Sequence, residues 1–245
     1  MNLLEVQGLR KTYPAFRLED VSFSVPEGAV MGLIGRNGAG KSTTLKSILG
    51  LVHPDAGRVE MFGREFSDNE RYIKENIGVV LGGIDFYPKK KVRTITDVTR
   101  RFYSNWQEEK YRHYLDLFAI DENKRVDQLS SGMRVKYLLA LALSHNARLL
   151  ILDEPTSGLD PVSRDELAEL LRRIAADGTR SVLFSTHITS DLEKCASHIT
   201  FIQEGRLQRS DTLAGFMAHY ADLGSTLEEI IVAAERRPYD ADAII

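Results

Sequence analysis

The feature that most constrains this chain is a glycine-rich segment, GRNGAGKST, at residues 35–43. It follows a short apolar run at residues 29–34, which is typical of a buried strand, and it leads into a helical pattern at residues 41–49. Its spacing, a glycine, four residues and then Gly-Lys-Ser, matches that of a phosphate-binding loop. The sequence therefore predicts a strand–loop–helix unit at the start of a parallel α/β core.

The chemistry of phosphate binding accounts for this spacing. Glycines let successive backbone N–H groups turn toward phosphate oxygens, and the helix that follows points its positive end at the same anion. Lys41 is predicted to reach the outer phosphates, and the hydroxyl of Ser42 is a suitable ligand for Mg²⁺. A chance glycine-rich turn is the alternative, but the strand before the loop and the helix after it favour a nucleotide site. The predicted contacts in this loop are Gly35, Asn37, Gly38, Ala39, Gly40, Lys41, Ser42 and Thr43.

A second candidate for catalysis is the acidic end of an apolar run, LLILDEP, at residues 149–155. In open α/β sheets ligands bind at the carboxyl ends of the strands, where this run delivers two carboxylates. Asp153 is predicted to hold Mg²⁺, and Glu154 to polarise an attacking water as a general base. Taken alone, the pair could equally be a solvated turn, but together with the phosphate loop it favours catalysis.

Composition and charge narrow the function classes. The chain has 245 residues, a net charge of −3 and a single cysteine, Cys195, so that no nucleic-acid partner and no disulfide within the chain are expected. There is no signal-peptide pattern and no apolar run near the roughly 20 residues that a spanning helix needs. If the protein acts at a membrane, another chain must cross it.

Four further motifs occur in a fixed order around these two. They are KTY ending at Tyr13, LSSGM at residues 129–133, SGLD at residues 157–160 and STH ending at His187. With these motifs the sequence resembles the ABC ATPase family over nearly its whole length. LSSGM resembles the signature motif that separates this family from other phosphate-loop proteins.

The resemblance implies a role for each of these residues. Tyr13 would stack on adenine, although a half-exposed strand tyrosine is the alternative, and His187 would contact the γ-phosphate and the attacking water. Ser130 and Gly132, at the start of a helix, would contact ATP held by a second subunit, and Asp160 would lie at that interface. The implied catalytic residues are thus Glu154, His187 and Lys41, with ATP and Mg²⁺ as cofactors.

The sequence departs from the family pattern in two segments. In the signature, Ser131 replaces the second glycine and Met133 the last residue. In the segment from Ile77 to Pro88, the usual glutamine near Mg²⁺ is replaced near Gly82. A glycine has no side chain to approach the metal or to sense a membrane partner, so the means of coupling stays open.

The fold predicted is a single α/β domain at residues 1–245. Its nucleotide-binding core and antiparallel β layer are assigned to residues 1–66 and 147–210, a mainly helical subdomain to residues 67–146, and a helical tail to residues 211–245. The predicted function is that of an ATPase subunit of an exporter, paired with a copy or a paralogue. It would work on transmembrane permease subunits, in the cytoplasm at the inner face of the membrane. Two alternatives are a soluble ABC ATPase in DNA or translation processes and a nucleotide-binding regulator without turnover.

Overall fold

The computed structural model describes residues 1–81 and 87–236. Alternating burial along the first strands places one face of each on the core, as the sequence pattern predicts. The strands are β1 (Asn2–Tyr13), β2 (Phe16–Pro26), β3 (Val30–Ile34), β4 (Ala56–Met61), β5 (Arg64–Glu65), β6 (Ile77–Leu81), β7 (Leu149–Asp153), β8 (Ser181–Thr186), β9 (His198–Gln203) and β10 (Arg206–Thr212).

These strands form one sheet in the order β5-β4-β1-β2-β10-β9-β3-β8-β7-β6. The pairs among β1, β2, β4 and β5 are antiparallel, whereas β9, β3, β8, β7 and β6 pair in parallel. Strands β3, β7 and β8 are buried along their whole length, as expected for parallel strands covered on both faces. The predicted fold class, a parallel phosphate-loop core with an antiparallel β layer, is confirmed.

The helices cover the parallel strands and extend to one side of them. They are α1 (Lys41–Ile48), α2 (Phe66–Asn76), α3 (Val92–Thr99), α4 (Glu108–Leu117), α5 (Ser131–Ser144), α6 (Pro161–Ala175), α7 (Thr189–Cys195), α8 (Leu213–His219) and α9 (Leu227–Glu235). Helices α3, α4 and α5 enclose a separate apolar cluster that contains Tyr111, Leu115 and Tyr137. At its centre the hydroxyl of Thr96 lies 2.7 Å from that of Tyr111 and 2.9 Å from that of Tyr137. No helix in the described part of the chain is both long and apolar enough to cross a membrane.

Two local features differ from the sequence-based expectation. Residues 77–81, within a segment predicted as mostly helical, form β6, which pairs in register with β7 and extends the core sheet. Its pattern, IGVVL, is too short to separate a strand from a helix, and the pairing with β7 decides the outcome. The spacing of Ser225 and Glu228 in the sequence also predicts a capping box, which the structure instead forms from Thr226 and Glu229, one residue later.

Candidate functional site

The phosphate loop connects β3 to α1 through backbone conformations that need glycine. Gly40, the residue before α1, has φ of 114°, a region that side chains rarely adopt. A Cβ atom on Gly35 would lie 2.2 Å from the carbonyl oxygen of Ile202 on β9. The loop can therefore close over a phosphate only while these positions carry no side chain.

Lys41 is the first residue of α1, directly after the loop, and is almost fully buried. Its Nζ donates to the carbonyl oxygens of Gly35 at 2.8 Å and Arg36 at 3.3 Å. It also lies 3.2 Å from Oε1 of Glu154. A buried ammonium needs such partners to offset lost hydration, and phosphate oxygens can replace a carboxylate in that task.

Asp153 is held by hydroxyl groups from two other elements. Its Oδ1 accepts from Ser42 Oγ at 3.1 Å and from Ser185 Oγ at 2.6 Å. Strands β7 and β8 are parallel and in register, which places Asp153 directly beside Ser185. The predicted metal ligands, Ser42 and Asp153, are thus in contact with each other.

Glu154 and His187 are paired across neighbouring strand ends. His187 Nδ1 lies 2.9 Å from Oε2 of Glu154. The backbone N–H of Glu154 donates to Ser185 Oγ at 2.9 Å, and Glu154 has φ of 49°, which is uncommon for a residue with a side chain. The strained turn directs the carboxylate toward both His187 and Lys41, so Glu154 contacts each of the other two predicted catalytic residues.

An open cleft of about 670 Å³ collects most of the predicted residues. Tyr13, which is 39% exposed, lies at its rim with Lys11 Nζ 5.8 Å from the ring centroid. The cleft is lined by Tyr13, Ala15, Phe16, Asn37, Gly38, Gly40, Lys41, Ser42, Thr43, Glu154, Ser157 and His187. Gly35 and Ala39 belong to the same loop but do not line the cleft.

Three lining residues and one supporting residue were not predicted from the sequence. Ala15 and Phe16 enter through the β1–β2 hairpin, where Tyr13 pairs with Phe16, and Ser157 follows the Glu154 turn. Phe16 could have been predicted from the sequence, because a hairpin next to Tyr13 places it beside that residue. Ser185 is the first residue of the STH motif, but the motif gave it no role, because its contact with Asp153 depends on strand register.

The signature residues lie at the exposed start of α5, outside the cleft. Ser130 caps this helix by accepting from the backbone N–H of Met133 at 3.2 Å. The hydroxyl of Ser131 donates to the carbonyl of Gly158 at 3.4 Å, and a Cβ on Gly132 would meet Ser163 Oγ at 3.4 Å. The segment is thus packed beside the SGLD loop, and it lines no part of its own chain's cleft.

Asp160 caps helix α6 and likewise does not line the cleft. Its Oδ1 accepts from the backbone N–H groups of Val162 and Ser163, both at 3.0 Å, and its Oδ2 accepts from Ser163 Oγ at 2.6 Å. The Ser163 hydroxyl and these backbone donors lower the pKa of Asp160 below its usual value. Its structural role in this chain is helix capping.

The residues present fit a magnesium ion of the kind that accompanies nucleotides. The pair of Ser42 and Asp153 offers hard oxygen ligands, and no cluster of three or more His, Cys, Asp or Glu suited to a metal exists among residues 1–81 and 87–236. Mg²⁺ in nucleotide sites uses one or two protein ligands and takes the rest from phosphates and water. Gly82, where the family's glutamine is replaced, lies outside the described residues.

Comparisons with known proteins show which family this chain belongs to. The ABC transporter family model matches residues 18–157. The bacitracin transport ATP-binding protein of Bacillus licheniformis is 32% identical over 208 residues, which are 84% of this chain and 68% of that protein. The Nod factor export ATP-binding protein I of Burkholderia orbicola is 39% identical over 191 residues, which are 76% of this chain and 62% of that one.

A similar solved structure indicates the same family. An ATP-binding subunit of an ABC transporter superposes with a TM-score of 0.84 at 28% identity, and the match covers 96% of this chain and 100% of that one. The family match, these relatives and the shared architecture agree with one another. The chain therefore belongs to the ABC transporter family and contains an ATP-binding, ATP-hydrolysing domain of that family.

Proposed function

We propose that this chain is the Mg²⁺-dependent ATPase subunit of an exporter and drives separate permease subunits. The observation that carries the proposal is the contact of Glu154 with both Lys41 and His187 in one cleft, with Ser42 and Asp153 beside them. Ser42 and Asp153, which are 111 positions apart in the sequence, meet there. A chain that only bound nucleotide would have no need for the paired acid and histidine.

Each residue has a task that follows from its position. Tyr13 offers an aromatic face to adenine, and the loop N–H groups with Lys41 hold the phosphates. Mg²⁺, held by Ser42 and Asp153, would neutralise charge on the outer phosphates. Glu154 orients and polarises the attacking water, and His187 holds Glu154 in place and contacts the γ-phosphate.

Ser130, Gly132 and Asp160 act in this proposal on the nucleotide of a second subunit. The N-terminus of α5 is exposed and carries free N–H groups that favour an anion, yet it does not border its own chain's cleft. A head-to-tail pair, with either a second copy or a paralogue, would bring it to a γ-phosphate. ATP then favours the closed pair and hydrolysis the open one.

The names of the relatives support export and a membrane partner. One of them is a Nod factor export protein and another a bacitracin transport protein. We propose that this chain works at the cytoplasmic face of the membrane with permease chains that do the crossing. We assign the core to residues 1–66 and 147–210 together with strand β6, the mainly helical subdomain to the rest of residues 67–146 and the tail to residues 211–245.

Phosphate release by the purified chain tests the proposal. Turnover should require Mg²⁺ and should rise more than linearly with protein concentration, because two chains complete each site. Glu154→Gln should abolish release, retain ATP binding and accumulate a dimer that light scattering detects. Normal turnover by this variant would show that Glu154 is not the base.

Purification of the tagged chain from detergent-solubilised membranes tests the partner. A multispan protein in stoichiometric amount is expected. Recovery of soluble partners alone would instead favour an ABC ATPase that works without a permease.

A further inference from the structure

The C-terminal helix α9 is fastened at its first turn to α7, the helix that follows His187. Leu227 and Ile230 are fully buried in the apolar cluster that also contains Leu192 of α7. The backbone N–H of Leu227 donates to Oε1 of Glu193, also on α7, at 2.8 Å. The start of α9 is therefore fixed relative to the segment that carries His187.

The last turn of α9 contacts the phosphate loop. Oε1 of Glu235 accepts from the backbone N–H of Arg36 at 3.1 Å, and its Oε2 lies 3.5 Å from Arg36 Nε. The Glu235 side chain is only 6% exposed. The carbonyl of Ala234 accepts from Gln203 Nε2 at 3.1 Å, which holds the helix end against β9. Helix α9 thus connects the His187 segment to the outer side of the phosphate loop.

The peptide groups of Arg36 are held on both sides. The carbonyl oxygen of Arg36 accepts from Lys41 Nζ at 3.3 Å and from the backbone N–H of Ala39 at 3.0 Å, while the N–H of Arg36 is held by Glu235. Because the Glu235 side chain is buried, water competes little for the hydrogen bond between its acceptor oxygen and the N–H of Arg36. The Glu235 carboxylate therefore restrains the backbone against which the Lys41 ammonium rests.

We propose that Glu235 is a positioning residue for the phosphate loop and that α9 ties this loop to α7. The inference rests on the proposed function, since it assumes that Lys41 and the loop hold the nucleotide phosphates. Without an acceptor oxygen at this position, the Arg36 backbone can shift and Lys41 is no longer preplaced for a phosphate. Nucleotide binding then weakens, whereas Glu154 and His187 act unchanged on nucleotide that is bound.

Two substitutions separate the reach of the side chain from its charge. Glu235→Asp keeps the charge but is one methylene too short, and Glu235→Gln keeps the length and an acceptor oxygen. On the full chain, calorimetry should show affinity for MgADP falling about fivefold or more in Glu235→Asp and staying within about twofold in Glu235→Gln. Glu228→Ala removes an exposed charge from the same helix and is the control, with unchanged affinity expected.

Steady-state kinetics supply a second readout. In Glu235→Asp the KM for ATP should rise by the same factor while kcat stays within about twofold. Unchanged MgADP affinity in Glu235→Asp would overturn the inference. Equal weakening in Glu235→Asp and Glu235→Gln, with lower thermal midpoints in both, would also overturn it, because that pattern is purely structural.

Lys41→Ala keeps the two proposals apart. If the wild-type chain does not bind MgADP, or if Lys41→Ala binds it equally well, the proposed function fails. If Lys41→Ala weakens binding and Glu235→Asp does not, the phosphate site stands and the role of Glu235 is refuted.

Discussion

The phosphate-loop cleft and the signature segment differ in how completely one chain builds them. In the cleft, Lys41, Asp153 and Glu154 are each held by groups from other elements at 2.6–3.3 Å. At the signature, the Ser130 and Ser131 hydroxyls bond to nearby helix and loop backbone, and both residues are exposed. The first region is arranged before any ligand arrives, whereas the second presents helix N–H groups to solvent.

This difference indicates where cooperation between chains is needed. Preorganised polar groups need little free energy of reorientation when the substrate binds, because folding has already set their orientation. An exposed helix N-terminus gains little from an anion until a second surface excludes water. Variants in the two regions should therefore fail in different ways.

The largest effect is expected from Lys41→Ala and Gly132→Asp. Each should lower turnover on the order of a hundredfold or more, Lys41→Ala by losing phosphate contacts and Gly132→Asp by placing a carboxylate near the partner's γ-phosphate. Only Lys41→Ala should lose nucleotide affinity in the single chain. Calorimetry with MgADP and phosphate-release assays check the two outcomes.

A mixture of these two variants sharpens the comparison. A dimer with one chain of each kind pairs an intact loop with an intact signature, so an equal mixture should recover about a quarter of the wild-type sites. The reference is each variant alone at the same total concentration. If the wild-type chain hydrolyses ATP as a pair but the mixture shows no recovery, the signature does not act across the interface.

A smaller effect is expected from Ser185→Ala. This change removes the hydroxyl that donates to Asp153 Oδ1 and accepts from the N–H of Glu154, so both carboxylates lose a restraint. We expect kcat to fall roughly tenfold, with a higher Mg²⁺ concentration needed for half-maximal rate.

Ser181→Ala is the matched control for Ser185→Ala. Ser181 is also a buried serine of β8, but its hydroxyl donates to the carbonyl of Pro26, away from the cleft. Similar losses of stability in both variants, with activity lowered only in Ser185→Ala, are expected. Equal activity of Ser185→Ala and Ser181→Ala would show that the Ser185 hydroxyl does not support the site.

The smallest effect concerns stability at the far end of α5, where His145 is buried and stacks on Tyr103 at 3.7 Å between ring centroids. Burial lowers the pKa of His145 to about 4. A helix C-terminus favours a charged histidine by only about 0.3–1 kcal/mol, so the effect of burial on the pKa is the larger one. The folded state therefore prefers neutral His145, and stability falls as the pH drops from about 6.5 toward 4.

His145→Phe keeps the stacking but does not titrate. Between pH 7.5 and 5 the wild-type chain should lose about 2 kcal/mol more unfolding free energy than this variant, as urea titrations would show. Above pH 7 the two unfolding curves should change in parallel. The same pH dependence of the unfolding free energy in both proteins would mean that burial does not keep His145 neutral in the folded state.

Much of the fold and site follows from local patterns. The loop at residues 35–43, the acidic end of β7 and the signature at the start of α5 all lie where their motifs predict. Strand β6 was missed because five apolar residues fit a strand or a helix equally well, and its pairing with β7 decides between them. The capping residue of α9 is Thr226 and not Ser225, because both neighbours are good capping residues and the sequence pattern does not separate them.

The amino-acid sequence alone predicts the chemistry of this protein, because the glycine loop, the Asp-Glu pair and the signature are short local motifs. The side chains that support this chemistry are set by tertiary packing. Ser185 reaches Asp153 through strand register, and Glu235 reaches Arg36 through the packing of α9 on α7. These contacts join residues 32 and 199 positions apart, so no local pattern encodes them and only the burial of the whole core brings them together.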